Sequence, residues 1–272
     1  MSGGQKTVRS AAWVYGDGPA LDDPAELYHE ASKLRPATAA GSSGAMRLLD
    51  AHPELQATVQ RAVRRRSSAP VVRLPSPGSP IGQLEDALRR RASERSFGAG
   101  PIELGAAASL AWAAYGAARS SALGPRRTVP SGGALYPLEL YLLALRVDGL
   151  DAGVYHYDPP RHVLCRLAGL PSAGELERLT PFPELLVPAA LVLLVTAVFW
   201  RSRFKYGLRG YRFSLLEAGH VGQNALLAAS ALGLAAVPVG GVYEGRVEKL
   251  LGVDGVDESL VYALSFGQRA ES

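Results

Sequence analysis

Residues 185–200, LLVPAALVLLVTAVFW, carry no charge and one hydroxyl, that of Thr196. Pro188 interrupts the run, so its unbroken part is Ala189 to Trp200, well short of the roughly 20 residues a membrane-spanning helix needs. β-Branched residues falling on both faces fit a strand that is covered on both sides. Such a strand lies inside a sheet with a packed layer above and below it. A chain of 272 residues, 47% apolar and 20% charged, has enough material for both layers, which excludes a disordered chain and a membrane span. A single cysteine, Cys165, excludes an intrachain disulfide and any multi-cysteine metal or iron–sulfur site. The histidines at 29, 52, 156, 162 and 220 are scattered without ligand spacing, so no metal is expected, and His220, on an apolar helix, reads as a core histidine. The first 23 residues lack the apolar core of a signal peptide, and the expected location is the cytoplasm.

Residues 1–76 differ in character from the rest. PAELYHEASKL (24–34) and AMRLLDAHPELQATVQRAVRRR (45–66) read as helices, the second broken near Pro53. The proline- and serine-rich stretch 67–82 reads as a linker or strap. A boundary near residue 77 separates this helical N-terminal extension (1–76) from a main domain (77–272). In the main domain the patterning predicts helices over 83–93, 103–118, around 173–179, and 213–234. It predicts strands over 138–147, 189–199 and 259–267, and a hairpin of 153–158 with 162–168 turning at Asp158-Pro159-Pro160. Helices and strands mix without a regular βαβ rhythm, which favours an α+β fold over a doubly wound sheet. Helix 213–234 is apolar or small nearly all round, the mark of a core element or a subunit interface.

The net charge is +4, and four of the 29 cations are lysines (Lys6, Lys33, Lys205, Lys249). The rest are arginines, which favour planar partners such as phosphate or carboxylate. The densest run, Arg61 to Arg66, fits a solvated helix face, and no nucleic-acid partner is expected. Four short motifs carry candidate chemistry. Arg91-Ala92-Ser93-Glu94-Arg95 sets two guanidiniums and a hydroxyl toward one point, which suits a phosphate and an adjoining polyol, or else a basic helix end. Pro130-Ser131-Gly132-Gly133 lets the backbone approach a flat ligand, or makes a tight turn before strand 138–147. Lys205-Tyr206 places an amine beside a phenol, a plausible acid/base pair or an ordinary basic loop. Gly240-Gly241, after the long helix, offers free backbone N–H groups. There is no P-loop, GxGxxG or GxSxG motif, so neither nucleotide hydrolysis nor a serine hydrolase has support.

In order along the chain, RxSxR (91–95), PSGGALYPLELY (130–141), GVYHYDPPRHVL (153–164), KYGLRGYR (205–212), EAGHVGQNALLAASALGL (217–234) and PVGGVY (238–243) resemble the FMN-dependent nitroreductase fold. Within it they resemble the SagB/ThcOx-type azoline dehydrogenases, and YHEASKL (28–34) resembles the segment ahead of the domain in that branch. The resemblance covers about residues 80–269. It implies a central, mostly antiparallel sheet flanked by helices, and a homodimer with two FMN sites at its interface. By that resemblance Arg91, Ser93 and Arg95 hold the phosphate and ribityl chain, assisted by Arg269. Pro130, Ser131, Gly132 and Gly133 line the isoalloxazine ring, Gly240 and Gly241 face its N5 edge, and Gln223 and Asn224 reach it from the interface helix. The implied reaction oxidises thiazoline or oxazoline rings, peptide-borne or carrier-bound, to thiazole or oxazole, with O2 reoxidising the flavin. Lys205 and Tyr206 are the implied catalytic pair, Tyr206 as base and Lys205 lowering its pKa, or the two exchanged. A cyclodehydratase is an implied partner. The alternatives are an NAD(P)H-dependent nitro or quinone reductase and a non-catalytic scaffold that binds a precursor peptide.

Overall fold

A computed structural model of the chain describes residues 23–33, 35–36, 51–52, 82–119 and 126–270. The central sheet has six strands: β4 (Leu138–Ala144), β6 (Gly153–Asp158), β7 (Val163–Gly169), β8 (Leu191–Val198), β9 (Ala235–Pro238) and β10 (Glu258–Gly267), in the order β7-β6-β4-β8-β10-β9. Every neighbouring pair is antiparallel. All eight residues of β8 are buried, as its two-faced apolar pattern predicts. The period-2 alternation of a strand divides its side chains between two cores. Leu191, Leu193, Val195 and Ala197 face one core with helices α3 (Leu104–Tyr115) and α7 (Leu208–Ala231). Val192 and Leu194 face the other, with α4 (Ala173–Glu177), α5 (Pro183–Leu186) and α8 (Glu244–Leu251). Short strands β1 (Ile102–Glu103) and β5 (Val147–Asp148) form a parallel pair, and β2 (Ala117–Arg119) and β3 (Arg126–Arg127) an antiparallel one.

The fold is the expected α+β arrangement, but β9, α5 and α8 have no counterpart in the patterning. The helix expected over 83–93 ends at Arg90, so that Arg91 to Arg95 are extended rather than a helix end. Three further differences bear on the site. A seven-residue helix, α6 (Trp200–Tyr206), occupies what the glycines and arginines present as a loop. Helix α7 then starts at Leu208, five residues before the apolar pattern begins, because Gly207 at φ 57° turns the chain directly from one helix into the next. His220 is exposed rather than a core residue. The buried face of α7 runs through Tyr211, Ser214, Glu217, Ala218, Val221 and Ala225, and His220 falls on the opposite side with Leu216 and Gln223. Of the helix expected over 45–66 and the strap over 67–82, all but residues 51, 52 and 82 lie outside the described residues. No described helix is long and apolar enough to cross a membrane.

Helix α1 (Pro24–Ser32), capped by Asp23, packs against α7 and β10 through polar groups that are almost fully covered. His29 is the buried histidine: Nδ1 meets the Tyr211 hydroxyl at 3.0 Å and Nε2 the Ser259 hydroxyl at 2.9 Å, with Phe199 and Tyr211 edge-on to the ring. Lys33 donates to the Gly255 carbonyl and lies 3.7 Å from Glu248. Burial, aided by the Lys33 charge, pulls His29 down to about 4 against the opposing Glu30 and Glu248 carboxylates. In the unfolded chain the imidazole protonates near 6.5, so between those values the unfolded state binds more protons. Stability therefore falls as pH drops from 6.5 toward 4, by up to roughly 3 kcal/mol. Urea midpoints measured across this window are expected to decline more steeply for the wild type than for His29→Gln. Parallel curves would show that His29 does not titrate in this way.

Candidate active site

The segment after α2 (Gly82–Arg90) is extended and runs along the outer edge of the sheet, where the Glu94 N–H donates to the Ala236 carbonyl of β9 and Phe97 pairs with Arg269. Arg91 and Arg269 thereby line one crevice with Arg90, Glu94, Leu226, Ser230 and Ala236, and Arg269 is 3.0 Å from Glu94. Ser93 and Arg95 stand on the same stretch, Ser93 half-buried and Arg95 exposed. Gly240 and Gly241 follow β9, a few residues beyond that crevice. Gly240 is exposed with nothing near the place of a side chain, whereas Gly241 is packed against the Phe182 ring and its carbonyl accepts from Thr180 at 2.5 Å.

The second group forms at the other end of α7. Gly133 sits at φ 65° in a short 3-10 turn (Gly132–Ala134), and a Cβ built on it would lie 2.6 Å from the Tyr206 hydroxyl and 3.1 Å from Lys205 Nζ. Two motifs some 70 residues apart in sequence thus meet at one point. Gly132 rests on the Phe213 ring, which also meets Tyr206 edge-on, centroids 5.1 Å apart. Helix α6 ends here, so its last two side chains, exposed Lys205 and half-buried Tyr206, project at the loop.

A buried polar framework fixes the loop from beneath. The Ser131 hydroxyl accepts from the Tyr136 N–H, and the Tyr136 hydroxyl accepts from the Arg127 N–H. Asn224 donates its amide to the Ala113 and Thr128 carbonyls, tying α7 to α3 and to the approach of the loop, while Gln223 is exposed. Tyr115 donates to Glu217 at 2.6 Å and accepts from the Leu138 N–H, and the Arg127 guanidinium lies 4.1 Å over the Tyr115 ring. Burial pushes the Glu217 carboxyl above its ordinary value, against the opposing Ser131 and Tyr115 hydroxyls and the Arg127 charge. One of its oxygens, Oε2, is buried without a hydrogen-bond partner. Arg201 of α6 donates to Glu139 at 2.5 Å and to the Tyr136 carbonyl at 3.3 Å. Burial alone would raise Glu139, but its hydrogen bond to His156 and the Arg201 guanidinium outweigh burial and hold it below its ordinary value. Sequence reasoning missed Glu217, Arg201 and Tyr115. For Glu217 a signal existed, since it is the only charged residue in 213–234.

The sequence matches the nitroreductase family over residues 88–268, two thirds of the chain. The chain belongs to the nitroreductase family. A protein of Methanocaldococcus jannaschii, MJ1384, named as a nitroreductase, is 37% identical over 169 residues, which is 62% of this chain and 84% of that one. The microcin B17-processing protein McbC of Escherichia coli is 37% identical over 141 residues, 47% of this chain and 49% of McbC. Among solved structures, the E. coli microcin synthetase McbBCD complex with truncated pro-MccB17 bound matches with a TM-score of 0.64 and 26% identity, covering 80% of this chain and 82% of that one. Within the nitroreductase superfamily the chain is thus of the SagB/McbC type, an oxidoreductase fold shared with a peptide-processing protein. The matched stretch spans about half of McbC.

Proposed function

We propose that this nitroreductase is an FMN-dependent azoline dehydrogenase acting on a peptide precursor. The observation that carries the reading is the meeting of Gly133 with Lys205 and Tyr206: a loop suited to a flat ring is faced at contact distance by an amine and a phenol. The likeness to McbC supports a ring-bearing peptide as the substrate class. When bound, FMN accepts a hydride and returns its electrons to dioxygen. The chain's own residues have the other task. As an azoline loses two hydrogens to become an azole, the proton leaves a ring carbon and needs a base, which Tyr206 and Lys205 supply.

The residues present fit the cofactor. Arg91 and Arg269 supply guanidinium donors for a phosphate, with Ser93 and Arg95 on the same extended segment, while the Ser230 hydroxyl is committed to the Ala87 carbonyl; Gly240 presents open backbone, and Pro130 to Gly133 a second flat platform. The two halves of this set are separated along α7. Gly132 packs on Phe213, whereas the arginine crevice is lined by Ser230, 17 residues further on, which is roughly 25 Å of helix. Half-sites toward opposite ends of one helix are joined when two copies pair, so the reading includes a homodimer that completes each site, with the arginines from one protomer and the glycine loop with Lys205 and Tyr206 from its partner. The exposed face of α7, with Leu215, Leu216, Gly219, His220 and Gln223, is suited to that contact.

The test is a spectrum and a mass. Purified protein is expected to show flavin bands near one FMN per chain, and a peptide bearing a thiazoline or oxazoline is expected to lose two hydrogens per ring in air. Protein that stays colourless with added FMN, or holoprotein that leaves every azoline peptide unchanged yet reduces nitro compounds with NAD(P)H, overturns the reading.

A further inference from the structure

Helix α6 carries Lys205 and Tyr206 at its end, and at seven residues it is too short to hold its own position. Two arginines, Arg201 and Arg203, anchor it. Residues two apart on a helix point to different sides, and these two grip different parts of the molecule. Arg201, on the same side as Lys205, holds Glu139 and the Tyr136 carbonyl, as described above. Arg203 turns away from the site, is 2% exposed, and forms ion pairs with Asp23 and Glu26 at the start of α1. The same helix α1 is pinned a turn later by His29 on Tyr211 and Ser259 and by Lys33 at Gly255, so its acidic end is not free to drift.

We infer that α1 is a working part of the catalytic centre: Asp23 and Glu26, through Arg203, position α6 so that Lys205 and Tyr206 stand over Gly133. The inference rests on the assignment of Lys205 and Tyr206 made above. A guanidinium this buried requires countercharge. When the carboxylates are gone, Arg203 is driven toward water, and α6 moves with it. Asp23, Glu26 and Arg203 are positioning residues in this account and touch no reacting atom.

The variant that isolates the effect is Asp23→Asn with Glu26→Gln. Asparagine caps a helix as well as aspartate does, so α1 keeps its N-cap, and both changes preserve size while removing charge. The holoprotein is expected to retain its flavin content. Its kcat on an azoline peptide is expected to fall about tenfold with KM within twofold, and amide deuterium uptake over residues 200–207 to rise while the sheet stays protected. Asp23→Asn alone, which keeps the N-cap and the Glu26 charge, is expected to lose clearly less kcat than the pair. Wild-type exchange over 200–207 together with wild-type kcat in the charge-removed variant overturns the inference. Should that variant fail to fold, Arg203→Lys decides in its place: it keeps the charge but not the two-pronged geometry, and the same rise in exchange is expected. A wild type that oxidises no azoline sinks the proposed function, whereas the exchange measurement still decides whether α1 holds α6.

Discussion

Tyr206→Phe and Lys205→Ala are each expected to lower azoline turnover by about 10²–10⁴-fold, the usual contribution of a positioned acid or base, while leaving a folded, flavin-containing protein. Neither change threatens the core. Phenylalanine keeps the edge-on contact of residue 206 with Phe213 and deletes only the hydroxyl facing Gly133, and the Lys205 side chain is exposed, so truncating it leaves no buried hole. The loss is expected in kcat, because the groups are needed when a ring proton departs and contribute little to holding the peptide. Flavin content, thermal melting and NAD(P)H-independent azoline oxidation measured on the same preparations separate a chemical defect from a structural one. Wild-type turnover in either variant removes that residue from the mechanism.

How much of this was legible beforehand depends on where the information lies along the chain. Strand β8 was plain from composition alone, because a strand with both faces in the interior must be apolar at successive positions, and its neighbours β4 and β10 followed from the same rule. The site was legible only as separate motifs. Nothing in PSGG or in Lys205-Tyr206 says that the two touch; that contact is made by α6, and α6 is set by partners at positions 23, 26, 136 and 139. A helix stabilised by distant carboxylates has no periodicity of its own to read, and RSRFKYGLRGYR consequently looks like a loop. Helix α8 is different. Its stop signal, Gly252 in the left-handed conformation after EGRVEKLL, is carried by the sequence itself.

The buried framework shows the same division. Glu217 is conspicuous as the one charge in an apolar helix, but its role depends on Tyr115, Ser131 and Arg127, which arrive from three other segments. The pairing of Asn224 with the Ala113 and Thr128 carbonyls gives that residue a structural task in setting the entry to the glycine loop, in addition to any reach toward a flavin that the family resemblance implies. Where one residue secures the scaffold and another faces the ligand from the same helix turn, a motif names both without telling them apart.

Gly133→Ala is expected to reduce kcat about 100-fold with flavin still bound, and the reasoning turns on which of two costs dominates. An alanine in the left-handed region costs only about 1–2 kcal/mol, and this loop already tolerates that conformation at Ala134 and Tyr136. The contact is the larger matter. A methyl group 2.6 Å from the Tyr206 hydroxyl and 3.1 Å from Lys205 Nζ cannot be accommodated without moving one of them, and a displacement of about 1 Å in a catalytic group is enough for a loss of that size. Gly132→Ala is the control: its methyl would meet the flat Phe213 ring at 3.3 Å, and a smaller loss is expected. The decisive experiment is the double variant Gly133→Ala with Tyr206→Phe. If the alanine acts by displacing the phenol, its effect is largely absent once the hydroxyl has gone, and the double variant is little slower than Tyr206→Phe alone. Losses that multiply would show instead that residue 133 acts on something other than Tyr206, and the contact between glycine loop and phenol would lose its place in the mechanism.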